Sequence, residues 1–360
     1  MYGWGVDDGS DELQVCTSDC QAGISGDAAG QFSLAGDIAV DSDGNIFVTE
    51  FGNNRVSSFA SNGDFRFAFG WGVRTGAEQF EICTEDTGCR AGIYGDGAGQ
   101  FAYPDSVAVD PQGRIYVNER NNPRIQRFAP DGSYLGVLDV GGHGGISIAP
   151  NGDVYYPEPD FDRVIKLNGS LEFVLTFGWG VLDGAEEYQV CQAASIHDCR
   201  PGIRGGGPGQ FRRPSDIAVD AQGRAFTSEL EESRIQLFRP VPVTSILAGP
   251  DGRTGDATPT FELGSDEAGS TFECRIVPAA FGPCPDGDQH TTAPLTDGTY
   301  TFEARATYQG ATDPTPATRT FTVDTTSPAL TVDEPPAGAL LLGAPGSPAR
   351  PASRRATRTR

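Results

Sequence analysis

Apolar positions along the chain come in short runs, and the runs are separated by glycine, asparagine and aspartate. Ile38-Ala39-Val40 leads into a turn at Asp43-Gly44, and Ile46-Phe47-Val48 follows. A third run starts at Arg55-Val56, and a fourth spans Phe65-Arg66-Phe67-Ala68-Phe69. Runs of this length, bounded by turn residues every 8 to 12 positions, predict short strands joined as an antiparallel meander. Helices are not expected, because glycine or proline interrupts almost every window long enough to form one.

The pattern recurs. Self-comparison finds it at Gly30–Gly70, Gly99–Val140, Gly144–Gly178 and Gly209–Pro240, and the third copy is the shortest and most divergent. Each copy reads as four strands. A single such sheet cannot bury both faces, so neighbouring sheets must stack on one another. Radial stacking of four-stranded sheets gives a β-propeller, and the fold class expected is all-β. The shared motif G-Q-F-x-x-P-x-x-I-A-V-D-x-x-G-x-I-Y-V-x-E-x-x-N-x-R-I-x-x-F, clearest in the second copy, resembles the NHL repeat family over residues 30–240. The resemblance implies a propeller of about six blades. Four copies are recognisable, and Tyr2–Val6 reads as the tail of a further blade. The shortfall points to an amino end that begins inside a repeat, or to an open ring that another chain completes.

Charge narrows the function. The 49 acidic and 26 basic residues give a net charge of −23, which repels phosphate backbones and argues against nucleic-acid binding. No apolar run is long enough for a membrane-spanning helix.

Every repeat carries an acid five residues before an arginine: Glu50 and Arg55, Glu119 and Arg124, Glu158 and Arg163, Glu229 and Arg234. Both residues flank the loop between the second and third strands, so they can meet across that hairpin. A pair present in every blade reads as a loop-bracing ion pair rather than a catalytic dyad. Asp41-Ser42-Asp43-Gly44-Asn45 looks like the start of a calcium loop, but the twelfth position is Gly52 where such a loop needs glutamate. A hairpin turn is expected there.

The acids lie 69, 39 and 71 residues apart, so two gaps carry about 30 extra residues. These inserts, about 3–30, 70–100 and 178–210, share the opening Gly-Trp-Gly-Val and a central cysteine pair. The pairs are Cys16 with Cys20, Cys83 with Cys89 and Cys191 with Cys199; a fourth pair, Cys274 and Cys284, lies downstream. Spacing within the pairs varies while the flanks match, as a disulfide-closed hairpin tolerates and a metal site does not. No metal or cofactor is assigned. Eight cysteines in local pairs imply an oxidising compartment, hence an extracellular or cell-surface location. The inserts should lie on the face of the second-to-third strand loops. Trp4, Trp71 and Trp179 should therefore cluster towards that face, either as a ligand rim or as plugs between blades.

Pro240-Val241-Pro242-Val243 ends the repeats. Residues 243–324 alternate as strands, for example Phe272–Ile276 and Tyr300–Ala306, and predict a β-sandwich. The stretches TPTFELGSDEAGSTFEC and LTDGTYTFEARA resemble bacterial Ig-like modules of secreted and surface proteins, in which Cys274–Cys284 would close a local hairpin. Residues 325–360 start another such module and end in a Pro-, Ala- and Arg-rich tail expected to be disordered.

Two functional classes follow. The first is a non-catalytic secreted or surface scaffold whose loop face binds a protein or carbohydrate of the cell envelope. The alternative is a propeller enzyme, a metal-assisted lactone hydrolase or lyase, with an ion on the axis. His143, set in Gly141-Gly142-His143-Gly144-Gly145, is the residue that breaks the repeat and would serve such a site or the ligand face.

Overall fold

The computed structural model describes residues 2–140 and 144–327. The expectations for His143 and for the tail beyond Ser327 lie outside the described residues.

Four antiparallel meanders follow one another and are called blades one to four. Blade one runs Ala35–Val40, Ile46–Glu50, Arg55–Phe59, Phe65–Trp71, with Phe80–Cys83 added at its outer edge. Blade two is Pro104–Val109, Ile115–Glu119, Arg124–Phe128 and Tyr134–Asp139. Blade three is Ser147–Ile148, Val154–Glu158, Arg163–Leu167, Phe173–Trp179 and an added Tyr188–Cys191. Blade four has three strands, Pro214–Val219, Ala225–Glu229 and Arg234–Phe238.

The first three copies each form the four expected strands, and the fourth forms three among the described residues. In blades one and three the cysteine-bearing strand of the insert extends the sheet, as Trp71↔Phe80 and Trp179↔Tyr188 show. Blade four loses its outer strand because Pro240 and Pro242 supply no N–H to a ladder and the chain turns away. Tyr2–Trp4 pairs with Leu13–Val15 in the same register as the other inserts, Trp4 opposite Leu13.

The turns within blades are held by aspartate. Asp41 Oδ1 accepts from the N–H groups of Asp43 and Asn45, and Asp110 and Asp220 do the same in blades two and four. The carboxylate that looked like a calcium ligand is used in its own turn.

Alternate residues of each strand pack against the next blade. Phe47, Val56 and Phe69 of blade one meet Val107, Val117 and Phe128 of blade two. Tyr116 and Ile125 meet Val154 and Tyr156, and Tyr155, Val164 and Phe177 meet Ile217 and Ala225. Each such side chain contributes about 1.5–3 kcal/mol on burial. The innermost strands of all four blades converge on one axis. One end of the axial opening is lined by Asp37, Ser106, Gly145 and Asp216, the other by Asp41, Asp110, Pro150 and Asp220. The two end faces of the array are bare: Ile38 and Val40 of blade one are 61% and 60% exposed, Ile235 and Leu237 of blade four 71% and 52%.

Residues beyond 243 form two further sheets packed face to face. One contains Thr244–Ala248, Thr260–Ser265 and Gln289–Thr291, the other is built on Thr271–Ile276, Gly298–Tyr308 and Ala317–Val323. Phe261 and Phe302 stack at 4.0 Å in the core between them. This unit is pinned to blade three by Lys166, the only lysine of the chain and 1% exposed. Its Nζ lies 2.9 Å from Asp153, 2.6 Å from Asp266 and 3.2 Å from Glu267. Burial opposes the charge on Lys166, but Tyr155 and the three carboxylates raise its pKa well above the usual lysine value.

Candidate binding face

The four acid–arginine pairs sit where the second strand of each blade turns into the third, with Glu50 opposite Arg55 in register. The ion-pair distances are 2.9 Å for Glu50–Arg55, 2.6 Å for Glu119–Arg124, 2.5 Å for Glu158–Arg163 and 2.6 Å for Glu229–Arg234. These are not surface pairs. Both side chains of the first are fully buried, and the guanidinium reaches across to the Gly-Gln-Phe turn before its own blade. Arg55 donates to the carbonyls of Asp27, Ala28 and Gln31, and Arg124 to those of Asp96, Gly97 and Gln100. In these two pairs each charge is thereby paired and the remaining guanidinium donors are used, the condition under which a buried ion pair is tolerated. Glycine is required in these turns: Gly30, Gly99 and Gly209 have φ of +81°, +76° and +79°, and Gly99 abuts the Phe80 ring.

The inserts lie over the same end of the blades. The structure bonds Cys16 to Cys20, Cys83 to Cys89, Cys191 to Cys199 and, in the second unit, Cys274 to Cys284. The loop that leaves each insert donates from Ile24, Ile93 or Ile203 N–H to the carbonyl of Trp4, Trp71 or Trp179. The turn that follows Gly-Trp-Gly-Val is capped by one side chain. Gln14 and Gln189 do this in the first and third inserts, and Glu81 does it in the second. Burial alone would raise the pKa of Glu81, but hydrogen bonds from Thr75 and Arg74 prevail and hold it at about 2.

Trp71 and Trp179 end the fourth strands of blades one and three, and Trp4 ends the equivalent strand ahead of blade one. Each is partly buried, and among the described residues no tryptophan ring contacts another aromatic ring. Trp71 Nε1 donates to Ala98 O at 2.9 Å, and Trp4 Nε1 to Asp11 at 2.6 Å. The three occupy equivalent strand ends, one per insert.

Two groupings on this face escaped the repeat analysis. The first is an aromatic ridge between blades one and two. Phe51 stacks on Tyr103 at 4.3 Å, Tyr94 meets Tyr103 edge-on at 5.3 Å, and the Arg120 guanidinium lies 5.0 Å from the Phe51 ring. Tyr94 is 51% exposed. The signal was present in the chain, since Phe51 and Tyr103 occupy loop positions filled by unlike residues in other copies.

The second is axial. Asp37 accepts from Ser106 Oγ at 2.8 Å and from Val107 N at 3.0 Å, tying blade one to blade two. Asp216 of blade four lines the same opening, and its pKa is raised by burial and then by the charge of Asp37. Two groups of described residues are close enough to hold a metal ion. One is the Cys274–Cys284 pair with His290, whose sulfurs are bonded to each other. The other is Asp153, Asp266 and Glu267, which surround Lys166.

The NHL repeat model matches residues 32–59 and 101–128, within blades one and two. Together with meanders converging on one axis, this defines an NHL-repeat β-propeller fold. Protein brain tumor of Drosophila melanogaster is 26% identical over 150 residues, which cover 42% of this chain and 13% of that protein, so the likeness spans a small part of it. Among solved structures, the extracellular domain of a one-component system from B. thetaiotaomicron is 9% identical with a TM-score of 0.33, covering 85% of this chain and 40% of that one. Virginiamycin B lyase from Staphylococcus aureus is 11% identical with a TM-score of 0.31, covering 74% and 90%. Among the described residues no helix is long and apolar enough to cross a membrane.

Proposed function

We propose that the chain is a non-catalytic binding scaffold, secreted or held at the cell surface, whose loop face takes a protein or carbohydrate of the cell envelope. Residues 1–240 act as the propeller, and residues 243–324 as an Ig-like spacer set rigidly against it through Lys166. The single observation that carries the reading is the division of labour on the loop face. The polar residues that recur from blade to blade are engaged inside the fold, while residues that break the repeat form a ridge in which Tyr94 and Arg120 are exposed and Phe51 and Tyr103 half-buried. Aromatic rings with one polar edge on rigid loops suit sugar faces and peptide side chains alike. The four disulfides fit an oxidising location.

The ring belongs to a larger propeller of about six blades. The exposed aliphatic end faces of blades one and four support this, since Val107 and Ile146, at the position of Ile38, and Val56, Ile125 and Val164, at the position of Ile235, are buried against a neighbour.

The test is a screen of envelope glycans and surface proteins with the full chain, repeated with Tyr94→Ala and Phe51→Ala. A ligand lost in both variants supports the reading, and one indifferent to both removes the ridge from it. The axial carboxylates favour the enzyme alternative. Metal analysis and a lactone-hydrolase and lyase screen, with Asp216→Asn as control, would establish it if turnover appears and the variant abolishes it.

A further inference from the structure

The unit beyond residue 243 holds a three-donor cluster that spans its two sheets. Cys274 lies in Thr271–Ile276, and Cys284 directly follows Gly282–Pro283, the short strand paired with it. Cys284 N–H donates to the carbonyl of Phe272 at 3.0 Å, which seats both cysteines at one point of that sheet. His290 comes from Gln289–Thr291 of the opposite sheet, across from Phe261 in register. One donor atom of each of the three residues lies within 4.8 Å of the other two. Both cysteines are buried in the core that contains Phe261 and Phe302.

The histidine is fixed there but makes no use of its inner nitrogen. Its ring stacks on Phe302 at 5.5 Å, and Nδ1 is buried without a hydrogen-bond partner. A buried polar atom left unbonded calls for an explanation, because packing alone would be served by an apolar ring. Burial lowers the pKa of His290, with Asp286 opposing, so the imidazole is kept in the neutral form that ligates metals. The other three cysteine pairs lack such a companion. Among the described residues no histidine or carboxylate completes a three-donor set with any of them, His197 included.

We propose that Cys274, Cys284 and His290 form a redox-gated site for a thiophilic divalent cation of the zinc class. In the structure the two sulfurs are bonded to each other, and the site is closed. A small dithiol opens it. One of its thiolates attacks a sulfur of the pair, its second thiol resolves the mixed disulfide, and the reductant leaves as a cyclic disulfide. Two electrons and two protons end on Cys274 and Cys284. The sulfurs then part to about 3.5–4 Å, the donor spacing around a tetrahedral ion, and metal binding releases both thiol protons. Two thiolates and an imidazole select zinc over calcium or magnesium and leave the fourth position to water. The ion replaces the lost sulfur–sulfur link and adds one between the sheets through His290. None of the loop-face residues takes part, so this site stands or falls apart from the binding reading.

The test uses the full chain, reduced with dithiothreitol, freed of it without oxygen, and titrated with cobalt(II). One ion should bind with a dissociation constant of about 1 μM or tighter, with tetrahedral visible bands and a sulfur-to-cobalt charge-transfer band. Zinc(II) should displace it, and the unreduced chain should show neither band. His290→Gln should weaken binding about tenfold or more. Alkylation of the unsubstituted reduced chain locates the site should that variant fail to fold: zinc should slow labelling of Cys274 and Cys284 about tenfold and leave the other cysteines at their metal-free rates. Absence of binding after reduction, equal affinity in His290→Gln, or protection centred on another cysteine pair overturns the proposal.

Discussion

Arginine–glutamate pairs occur in both halves of the molecule and behave as different objects. In the propeller, Glu50 and Arg55 are fully buried, and the guanidinium is committed to a turn more than twenty residues upstream. On the C-terminal sheet, Arg275–Glu303 and Arg305–Glu273 are cross-strand pairs of 2.6 and 2.7 Å with partly exposed side chains, both arginines lying against the Phe281 ring. The first kind ties a hairpin to a turn far upstream in the chain, alongside the Asn53–Gly26 bond. The second decorates a sheet already specified by its apolar alternation. Burial, rather than the distance between the charges, separates a structural brace from a surface ornament.

The largest effect should come from breaking the brace. Arg55→Ala strands Glu50 and the carbonyls of the upstream turn, and should cost about 3–5 kcal/mol in denaturant unfolding. Lys166→Met tests whether a contact between units behaves as the braces do. It leaves Asp153, Asp266 and Glu267 facing one another, and should separate the unfolding of the C-terminal unit from that of the propeller by about 3 kcal/mol, visible as a second calorimetric transition.

A subtler contrast lies between inserts. Glu81 has a pKa of about 2 in the folded chain against 4.5 as a free group, so its contribution is present above that ordinary value and is lost as pH falls from about 4.5 towards 2. Amide exchange in residues 72–83 should accelerate over that window. Glu81→Gln, which copies Gln14 and Gln189 of the sister inserts, should abolish the pH dependence. The smallest effect is expected for Glu303→Ala, within about 1 kcal/mol and further reduced by salt. A cost near that of Arg55→Ala would dissolve the distinction.

The parts legible in the chain are those with short range. Strand runs, aspartate turns and close cysteine pairs each depend on residues within about a dozen positions, and pattern suffices for them. The acid–arginine spacing revealed the pair but not its burial, because the carbonyls that complete it belong to an upstream turn. Lys166 could not be placed at all: two of its partners lie 100 and 101 residues away, in a different unit. The ridge of Phe51, Tyr94 and Tyr103 was hidden for the opposite reason. A search for repetition passes over residues because they differ between copies.

The missing fourth strand of blade four has a consequence for the molecule in company. Among the described residues Arg234–Phe238 is a sheet margin with no strand on its outer side, and its own Ile235 and Leu237 are exposed. Blades one and three present the short cysteine-stapled strand at the same place, a rim too brief and too tightly held to recruit a neighbour. Blade four has no such selvedge. Its outward N–H and C=O groups can be extended by whichever strand arrives first, from the same polypeptide or from another molecule, so crowding and purity will govern whether the isolated chain stays monodisperse.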